Sequence, residues 1–359
     1  YHFPLFCYLV DCGFNASIIN PIITHSTKNG NIRKVKNDKI DSKGIAKLGL
    51  SKDIPVSQFP AKLVLELRSL TRKYYDLTDE RSAHINKLKG DLHTVFPQYL
   101  DVFCDVTGKT STMILRQYGT PDKILRGHKK TMIEKISKAS RKGLAKASER
   151  YEKLCAAANA AKTFGCQIDS IYFNIFLTLD LVEKLDSALD SILNRIRQLI
   201  TFNKNEKFIQ QIKLLNTIPG VGFLTAVTIM CEIGDFSAFR NPKQLFAYFG
   251  LDPEVNESGK FVGTQLHMSK RGSRIARRAI FAVALASIRT KRNGEGINPY
   301  LRKYYELKSG QKPKMVAIGA VMHKVCNIVF AVLRDEKAFE LRSPEEHCKQ
   351  YQRPALAAA

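Results

Sequence analysis

A single serine stands ahead of an arginine-rich segment in "LDPEVNESGKFVGTQLHMSKRGSRIARRAI", residues 251–280. Ser258 lies in a short polar turn next to Gly259. A serine hydroxyl is a poor nucleophile unless a base or a metal activates it. No G-x-S-x-G elbow and no local Asp/His pattern indicates an esterase. Two interpretations follow from the residues: an ordinary turn serine before a solvated helix, or a nucleophile beside a phosphate clamp.

The segment after the serine carries the cations for such a clamp. Arg274 and Arg278 are one helical turn apart, so they share a face if the segment is a helix. Guanidinium groups can hold phosphates through paired hydrogen bonds. The cations predicted to contact a nucleic-acid backbone are Lys260, Lys270, Arg271, Arg274, Arg277 and Arg278.

A second candidate phosphate contact is the motif "IPGVG", residues 218–222. Gly220 and Gly222 flank an apolar residue, as in a tight turn between two helices. Free backbone N–H groups in such a turn can bind a phosphate at the N-terminus of the next helix, as helix-hairpin-helix elements do on DNA. A glycine turn without a ligand is the alternative.

Two carboxylates one turn apart form the third candidate, in "KNDKIDSKG". Asp38 and Asp41 face the same way if the segment is helical, and paired carboxylates can share divalent metals for phosphoryl chemistry. A solvated helix start, at which aspartates are favoured by the helix dipole, is the alternative.

The overall charge indicates a polyanionic partner. The chain of 359 residues has 57 Lys and Arg against 33 Asp and Glu, a net charge of +24. Neutralising phosphates releases counterions and favours binding of nucleic acid.

No run reaches 18 consecutive apolar residues, so we expect no membrane span. Eight scattered cysteines without a CxxC pair indicate reduced thiols rather than zinc, and we expect a cytoplasmic protein.

The elements that must position these residues are mainly helical. "PLFCYLVDCGF" predicts a helix that ends at Gly13, and "NASIINPI" a short buried strand, which together form an α/β unit. Two apolar stripes, residues 63–92 and 182–199, have the three-four spacing of a coiled coil or a helical hairpin. The basic, alanine-rich segment between them predicts a solvent-facing helix. Such long helices could separate two active domains, dimerise, or pack within the chain.

After residue 205 the pattern changes to a compact helical domain. Helices are predicted on both sides of "IPGVG", in "FRNPKQLFAYFGL", and near residues 272–290 and 314–334. The predicted domains are therefore residues 1–58, the α/β part; 59–205, the helical coiled-coil region; 206–345, the helical C-terminal domain; and a tail, 346–359.

Several blocks in this order resemble a known family. "KNDKIDSKGIAK", "IPGVGFLTAVTIMCEIGDFSAFRNPKQLFAYFGLDPEVNESGK", "SKRGSRIARRAIFAVALASI" and "KPKMVAIGAVMHKVCNIVFAVL" are similar to segments of bacterial insertion-sequence transposases. These are the bridge-RNA-guided recombinases, with a DEDD, RuvC-like (RNase H-like) domain and a C-terminal serine domain, and they are related to Piv-type DNA invertases.

The resemblance implies a function and roles for the residues. It implies recombination of mobile DNA through a covalent phosphoserine intermediate, with Ser258 as the attacking residue. Asp38 and Asp41 fall on the third and fourth acidic residues of the DEDD set, which implies Mg²⁺ ligation. The implied partners are double-stranded DNA, a structured guide RNA, and further copies of the chain in a dimer or tetramer.

The sequence departs from the family at its beginning. The Gly-Ile-Asp strand and the glutamate motif that supply the first two acidic residues are not in this sequence, so we expect an N-terminally truncated RuvC-like domain. Asp11, at a helix end, is a poor substitute. Two alternatives stay open: a catalytically inactive nucleic-acid-binding remnant, and a metal-dependent junction nuclease in which water attacks instead of Ser258.

Overall fold

The computed structural model describes residues 2–14, 16, 38–50, 61–166, 168–254, 257–258, 261–262 and 267–346. The described chain is mainly helical and divides into two compact units, Tyr1–Lys62 and Leu63–Ala359. The strand predicted in residues 15–22 and nearly all of the predicted tail lie outside the described residues.

The first unit contains two described helices, α1 (His2–Asp11) and α2 (Asp38–Gly49). Gly13 follows α1 with a φ of 81°, and the N–H of Phe14 donates to the carbonyl of Leu9 at 2.9 Å. This is a glycine C-cap, in which the left-handed residue lets the chain turn back on the last carbonyls. The predicted helix end at Gly13 is confirmed. The segment that carries both aspartates is helical, which is the condition for Asp38 and Asp41 to share one face.

The second unit is organised by an antiparallel pair of long helices, α3 (Lys62–Val95) and α9 (Asp169–Phe202), which we call the stalk. Each has 34 residues and is about 50 Å long. Arg81 on α3 forms a two-pronged ion pair with Asp186 on α9, and the hydroxyl of Tyr172 donates to the carbonyl of Val95 at 3.4 Å. At one end of the stalk, Leu63, Leu67 and Leu70 of one predicted stripe and Ile192, Ile196 and Leu199 of the other belong to one hydrophobic cluster. This part of the two stripes therefore packs within the chain.

A helical module, residues 96–168, connects the far ends of the stalk helices. Its helices are α4 (Tyr99–Val102), α5 (Lys109–Gln117), α6 (Pro121–Arg126), α7 (Lys129–Ser140) and α8 (Leu144–Phe164). The module has a hydrophobic core of its own, which continues into the adjoining stalk ends. The prediction of a solvent-facing alanine-rich helix is wrong in part, because Ala157, Ala158 and Ala161 are buried in this core. Small side chains let α8 approach its neighbours closely.

Among its described residues, the C-terminal part contains six α-helices, a short 3-10 helix (Phe236–Ala238) and a two-stranded hairpin. The α-helices and strands are α10 (Lys207–Leu215), α11 (Phe223–Ile233), α12 (Pro242–Tyr248), β1 (Glu257–Ser258), β2 (Phe261–Val262), α13 (Arg274–Ile288), α14 (Pro299–Ser309) and α15 (Lys314–Asp335). The helices predicted near 272–290 and 314–334 are confirmed as α13 and α15, whereas α14 was not predicted. The C-terminal helices share one hydrophobic core, and this core also contains three stalk residues, Leu67, Ile196 and Leu199. The stalk and the C-terminal helices therefore pack into one body.

Helix α15 is long and apolar enough, by composition, to cross a membrane. Ten of its side chains are buried against the other C-terminal helices, among them Val321, Val325 and Val329. Core packing therefore accounts for its apolar composition.

Two glycines near the junction of module and stalk should respond oppositely to substitution by alanine, as measured by the free energy of unfolding. A Cβ at Gly165 would lie 2.5 Å from the carbonyl oxygen of Val95, whereas one at Gly90, exposed on α3, meets nothing within 4 Å. We expect Gly165→Ala to lower the free energy of unfolding by about 1–3 kcal/mol, and Gly90→Ala to raise it by about 0.5–1 kcal/mol. Urea denaturation of both variants measures this; equal effects would contradict the close approach at Gly165.

Candidate functional site

Ser258 lies in strand β1 of a hairpin that we call the serine arm, which the structure describes at residues 252–254, 257–258, 261–262 and 267–269. Strands β1 and β2 pair antiparallel, with Ser258 opposite Phe261. Nearer the helices, the N–H of Glu254 donates to the carbonyl of His267 at 2.7 Å, and the N–H of Ser269 to that of Asp252 at 2.8 Å. Backbone pairing therefore ties the two sides of the arm together at its base. The side chains of Ser258 and Lys260 lie outside the described part.

The two chain segments at the base of the arm cross with almost no space between them. Gly250 has a φ of 65°, and the N–H of Lys270, itself at a φ of 54°, donates to its carbonyl at 3.0 Å. A Cβ on Gly272 would collide with the carbonyl oxygen of Tyr248. Only a residue without a side chain fits at position 272, and a left-handed φ favours glycine at 250.

Arg277 holds this crossing together from α13. Its Nη1 donates to the carbonyl oxygens of Phe249 at 3.2 Å, Lys270 at 3.1 Å and Gly272 at 2.6 Å. Burial lowers the pKa of the Arg277 guanidinium, but arginine side chains are not deprotonated in proteins, so the group stays charged. Sequence analysis predicted Arg277 as a phosphate contact; these hydrogen bonds give it a structural role, because its Nη1 protons point at the backbone of the arm.

The other two arginines of α13 share a carboxylate on the stalk. Arg274 Nη2 donates to Asp79 Oδ2 at 3.1 Å, and Arg278 Nη1 to Asp79 Oδ1 at 2.6 Å. The guanidinium of Arg278 also lies 4.8 Å from the ring centroid of Tyr75, a cation–π contact. The predicted common face is confirmed, and the anion on it is Asp79. Arg274 is 82% exposed, so part of its guanidinium still faces solvent.

Two further predicted cations lie at the foot of the arm. Lys270 and Arg271 are exposed, and no carboxylate in the described part of the chain lies within ion-pair distance of either. Their charges are therefore available to a polyanion beside the serine arm.

The "IPGVG" turn connects α10 to α11 and places its two glycines differently. Gly220 has a φ of 97°, and a Cβ there would lie 2.5 Å from Ser287 Oγ on α13. The hydroxyl of Ser287 donates to the carbonyl of Pro219 at 3.0 Å. The expectation of an outward-facing turn is therefore corrected for Gly220, which packs against α13. Gly222 is exposed and begins α11 without a side-chain cap, so that end of the motif is open.

Sequence analysis did not predict an ion pair between a buried carboxylate on α11 and an arginine of the stalk. Glu232 on α11 is 2% exposed and accepts from Arg72 Nε at 2.8 Å and Nη2 at 2.9 Å. Burial acts to raise the pKa of Glu232, but the hydrogen bonds from Arg72 and Ser273 outweigh it, and the net pKa is lowered. Arg68 Nε donates to the carbonyl of Cys231 at 2.7 Å. An acidic residue inside the apolar run "TIMCEIGD" was the available signal, since a buried carboxylate requires a partner.

Asp38 and Asp41 belong to the first unit, in α2. Asp38 begins the helix and Asp41 follows one turn later, partly buried. Their predicted helical spacing is confirmed for the backbone. Within the described ranges, no group of three or more His, Cys, Asp or Glu side chains could enclose a metal ion.

Two family models match this chain, one in its N-terminal part and one in its C-terminal part. The IS116/IS110/IS902 transposase family matches residues 212–306, which include the "IPGVG" turn, the serine arm and α13. The DEDD transposase domain of the IS110 type matches residues 1–97, which include Asp38 and Asp41. The chain carries transposase domains of the IS110/IS116/IS902 family.

Individual relatives agree with the assignment of these transposase domains. An IS110 insertion-element protein of Streptomyces coelicolor is 23% identical over 286 residues, 79% of this chain and 66% of the relative. The pilin gene-inverting protein of Moraxella bovis is 30% identical over 177 residues, 49% of this chain and 52% of the relative. The IS1111A transposase of Coxiella burnetii is 26% identical over 188 residues, 51% and 50% respectively. The chain thus spans between half and two thirds of these relatives.

The role of Arg277 predicts a local loss of order. We expect Arg277→Ala to lower the free energy of unfolding by about 1–3 kcal/mol, because three backbone carbonyls lose their donor. Amide hydrogen exchange should rise selectively at residues 250–254 and 267–272. Arg274→Ala, which removes an exposed guanidinium from the same helix, should change stability by less than about 1 kcal/mol. Unchanged exchange at the base of the arm in Arg277→Ala would refute the structural role.

Glu232 predicts an acid-dependent contribution to stability. Its folded pKa is depressed, so its contribution is complete above the ordinary carboxyl pKa of about 4.3 and is lost as pH falls toward the folded pKa. We expect Glu232→Gln to lower the free energy of unfolding at pH 7 by about 1–3 kcal/mol, and by less at pH 3. Thermal denaturation between pH 3 and pH 7 tests this, and a deficit independent of pH would contradict it.

Proposed function

We propose that this chain is a transposase, a site-specific DNA recombinase of a mobile insertion sequence, with Ser258 as its nucleophile. The observation that carries the proposal is the match to both domains of the IS110 family, in the expected order, with Ser258 inside the second. Support comes from the fixed base of the serine arm, with exposed Lys270 and Arg271 beside it. For the first unit we propose the RuvC-like α/β fold.

The chemistry fits a serine without a local base. Ser258 Oγ would form a bond to phosphorus, one P–O bond of the DNA backbone would break, and the released DNA hydroxyl would take up a proton. The phosphoserine ester keeps the bond energy of the phosphodiester. A second DNA hydroxyl can therefore attack it, reseal the strand and return the proton to serine without ATP.

Asp38 and Asp41 are the residues of this chain that would hold Mg²⁺. Two carboxylates one turn apart suit a hard cation that keeps several waters. A bound Mg²⁺ supplies Lewis-acid activation of the hydroxyl and stabilises developing charge on the phosphate. The two carboxylates are in the first unit and Ser258 is in the second, so catalysis requires both units.

The partners proposed for the chain follow from its charge and its relatives. A net charge of +24 suits both a DNA duplex and a structured guide RNA. The Moraxella relative is named as a gene-inverting protein, which supports DNA as the substrate. Phe173, Leu177 and Leu181 form an exposed apolar stripe on α9, 62%, 46% and 44% exposed, which supports a homo-oligomer, a dimer or tetramer. We propose a cytoplasmic location.

Covalent trapping tests the nucleophile. The protein, expressed from its complete reading frame, is incubated with Mg²⁺, guide RNA and labelled DNA that carries the ends of its element. We expect a protein–DNA adduct on denaturing gels, lost in Ser258→Ala and retained in Ser309→Ala, which removes another hydroxyl from the C-terminal part. Cleavage without an adduct would indicate the junction nuclease. Tight binding with neither cleavage nor adduct would indicate the inactive remnant.

The metal assignment is tested separately by isosteric neutralisation. We expect Asp38→Asn and Asp41→Asn each to reduce adduct formation at least about a hundredfold, since Lewis-acid stabilisation contributes several kcal/mol. Asp11→Asn, at the end of α1 in the same unit, should leave the rate unchanged. Full activity of both variants with Mg²⁺, or an equal loss in Asp11→Asn, would remove the two aspartates from the proposed metal site.

A further inference from the structure

The helical module has a basic recess of about 290 Å³ between α4, α7 and α8. Apolar Val102 and Ile136 contribute to its lining. Its charged lining residues are Lys142, Lys146, Arg150 and Lys153, with Asp101 and Glu149. Four cations against two carboxylates leave the recess positively charged. The surrounding segment, residues 129–153, has nine Lys or Arg against three Glu.

The ion pairs of the module separate its cations into two groups. Arg116 pairs with Asp180 at 2.6 Å and Glu183 at 2.8 Å on α9, and so attaches the module to the stalk. In the recess, Lys153 pairs with Glu149 at 2.8 Å. Lys142 and Lys146 are exposed and have no carboxylate within ion-pair distance in the described chain. Neither lysine is held in a direct ion pair there, so both charges remain available to a ligand.

The backbone that carries Lys142 is fixed. The hydroxyl of Ser137 donates to the carbonyl of Lys142 at 2.7 Å, and the N–H of Lys142 donates to Ser140 Oγ at 3.3 Å. Arg141 ends α7 in the left-handed conformation, with a φ of 52°. The turn between α7 and α8 therefore presents the lysine from an ordered position, so less conformational entropy is lost on binding.

Arg150 adds a surface on which a base can stack. Its guanidinium lies 5.6 Å from the ring centroid of Phe103, which is 5% exposed, and it also lines the recess. A guanidinium held over an aromatic ring is preorganised, and its planar group stacks on unpaired bases as well as binding phosphates. The recess thus combines phosphate-binding cations with a stacking group, the two features that unpaired nucleic acid requires.

We propose that this recess binds an unpaired nucleic-acid strand, with phosphates at Lys142 and Lys146 and a base against Arg150. A concave site favours an unpaired strand, whose bases and phosphates can enter it, over the convex surface of a duplex. The identity of the strand depends on the proposed function. In a recombinase with a guide RNA, the strand would be a loop of that RNA or a DNA strand displaced during exchange. It assigns the module a role in holding that strand away from the serine arm.

The test is a binding titration of the full chain by fluorescence anisotropy with three probes: a single-stranded DNA, an RNA hairpin with an unpaired loop, and a blunt DNA duplex. The variant Lys142→Gln/Lys146→Gln is compared with Lys109→Gln/Lys123→Gln, which removes the same charge from exposed positions outside the recess. We expect the recess variant to bind the two unpaired probes about tenfold more weakly. For the two unpaired probes, the slope of log affinity against log salt should decrease in magnitude by about 1.4, because each phosphate contact to a single strand contributes about 0.7. Control variant and duplex affinity should stay at the wild-type value.

A third variant separates stacking from charge. Arg150→Lys keeps the charge and loses the planar group, so we expect weaker binding of the unpaired probes with an unchanged salt slope. Melting temperatures verify that each variant is folded. Equal losses in the recess and control variants, equal loss for the duplex, or no loss at all would each overturn the proposal.

The adduct assay separates this proposal from the proposed function. Suppose that the wild-type protein forms the Ser258 adduct but the recess variant binds all probes with wild-type affinity. This result would contradict the proposed binding site in the recess and leave the proposed recombinase unaffected. Selective loss of unpaired probes in a chain that forms no adduct would support the recess and contradict the recombinase.

Discussion

The hydrogen bonds from Arg277 to three carbonyls are the contact on which the geometry around Ser258 depends. They join the end of α12, the foot of the serine arm and the start of α13 at one guanidinium. The crossing is so close that Gly272 lies against the backbone of Tyr248, and a side chain at position 272 would collide with it. A rigid base of this kind is required if an arm is to present a hydroxyl in a reproducible position.

The stalk is fixed to the helices next to the serine arm and extends away from them. Helix α3 contacts the end of α11 through Arg68 and Arg72, and α13 through Asp79, while Leu67 enters the C-terminal core. The same helix continues to the module, about 50 Å from its start. One continuous helix therefore connects the helices behind the serine arm to the basic recess. Rotation of α3 about its axis would have to break the ion pair between Arg72 and the buried Glu232 and the pair between Arg81 and Asp186.

Sequence patterns predicted the positions of the helices better than they predicted the tertiary contacts between side chains. The apolar stripes on α3 and α9, the glycine cap at Gly13 and the helix that carries Asp38 and Asp41 depend on local periodicity and spacing, which a sequence displays directly. The partners of the α13 arginines could not be predicted, because Asp79 is almost two hundred residues away from Arg274 and Arg278. Arg277 looks like its two neighbours in sequence, and only tertiary packing turns its guanidinium toward the backbone. The buried face of α8 was missed for a similar reason, since alanine is compatible with either environment.

The central claim, that Ser258 attacks DNA, is tested most directly by mapping the covalent attachment. Trypsin should release residues 244–260, "QLFAYFGLDPEVNESGK", in which Ser258 is the only serine and Tyr248 the only other side-chain hydroxyl. After nuclease digestion of a trapped adduct, mass spectrometry should find a nucleotide phosphate on this peptide, and fragmentation should locate it at Ser258. A nucleotide on Tyr248 or on any other peptide would contradict the account, because the arm would then not carry the nucleophile.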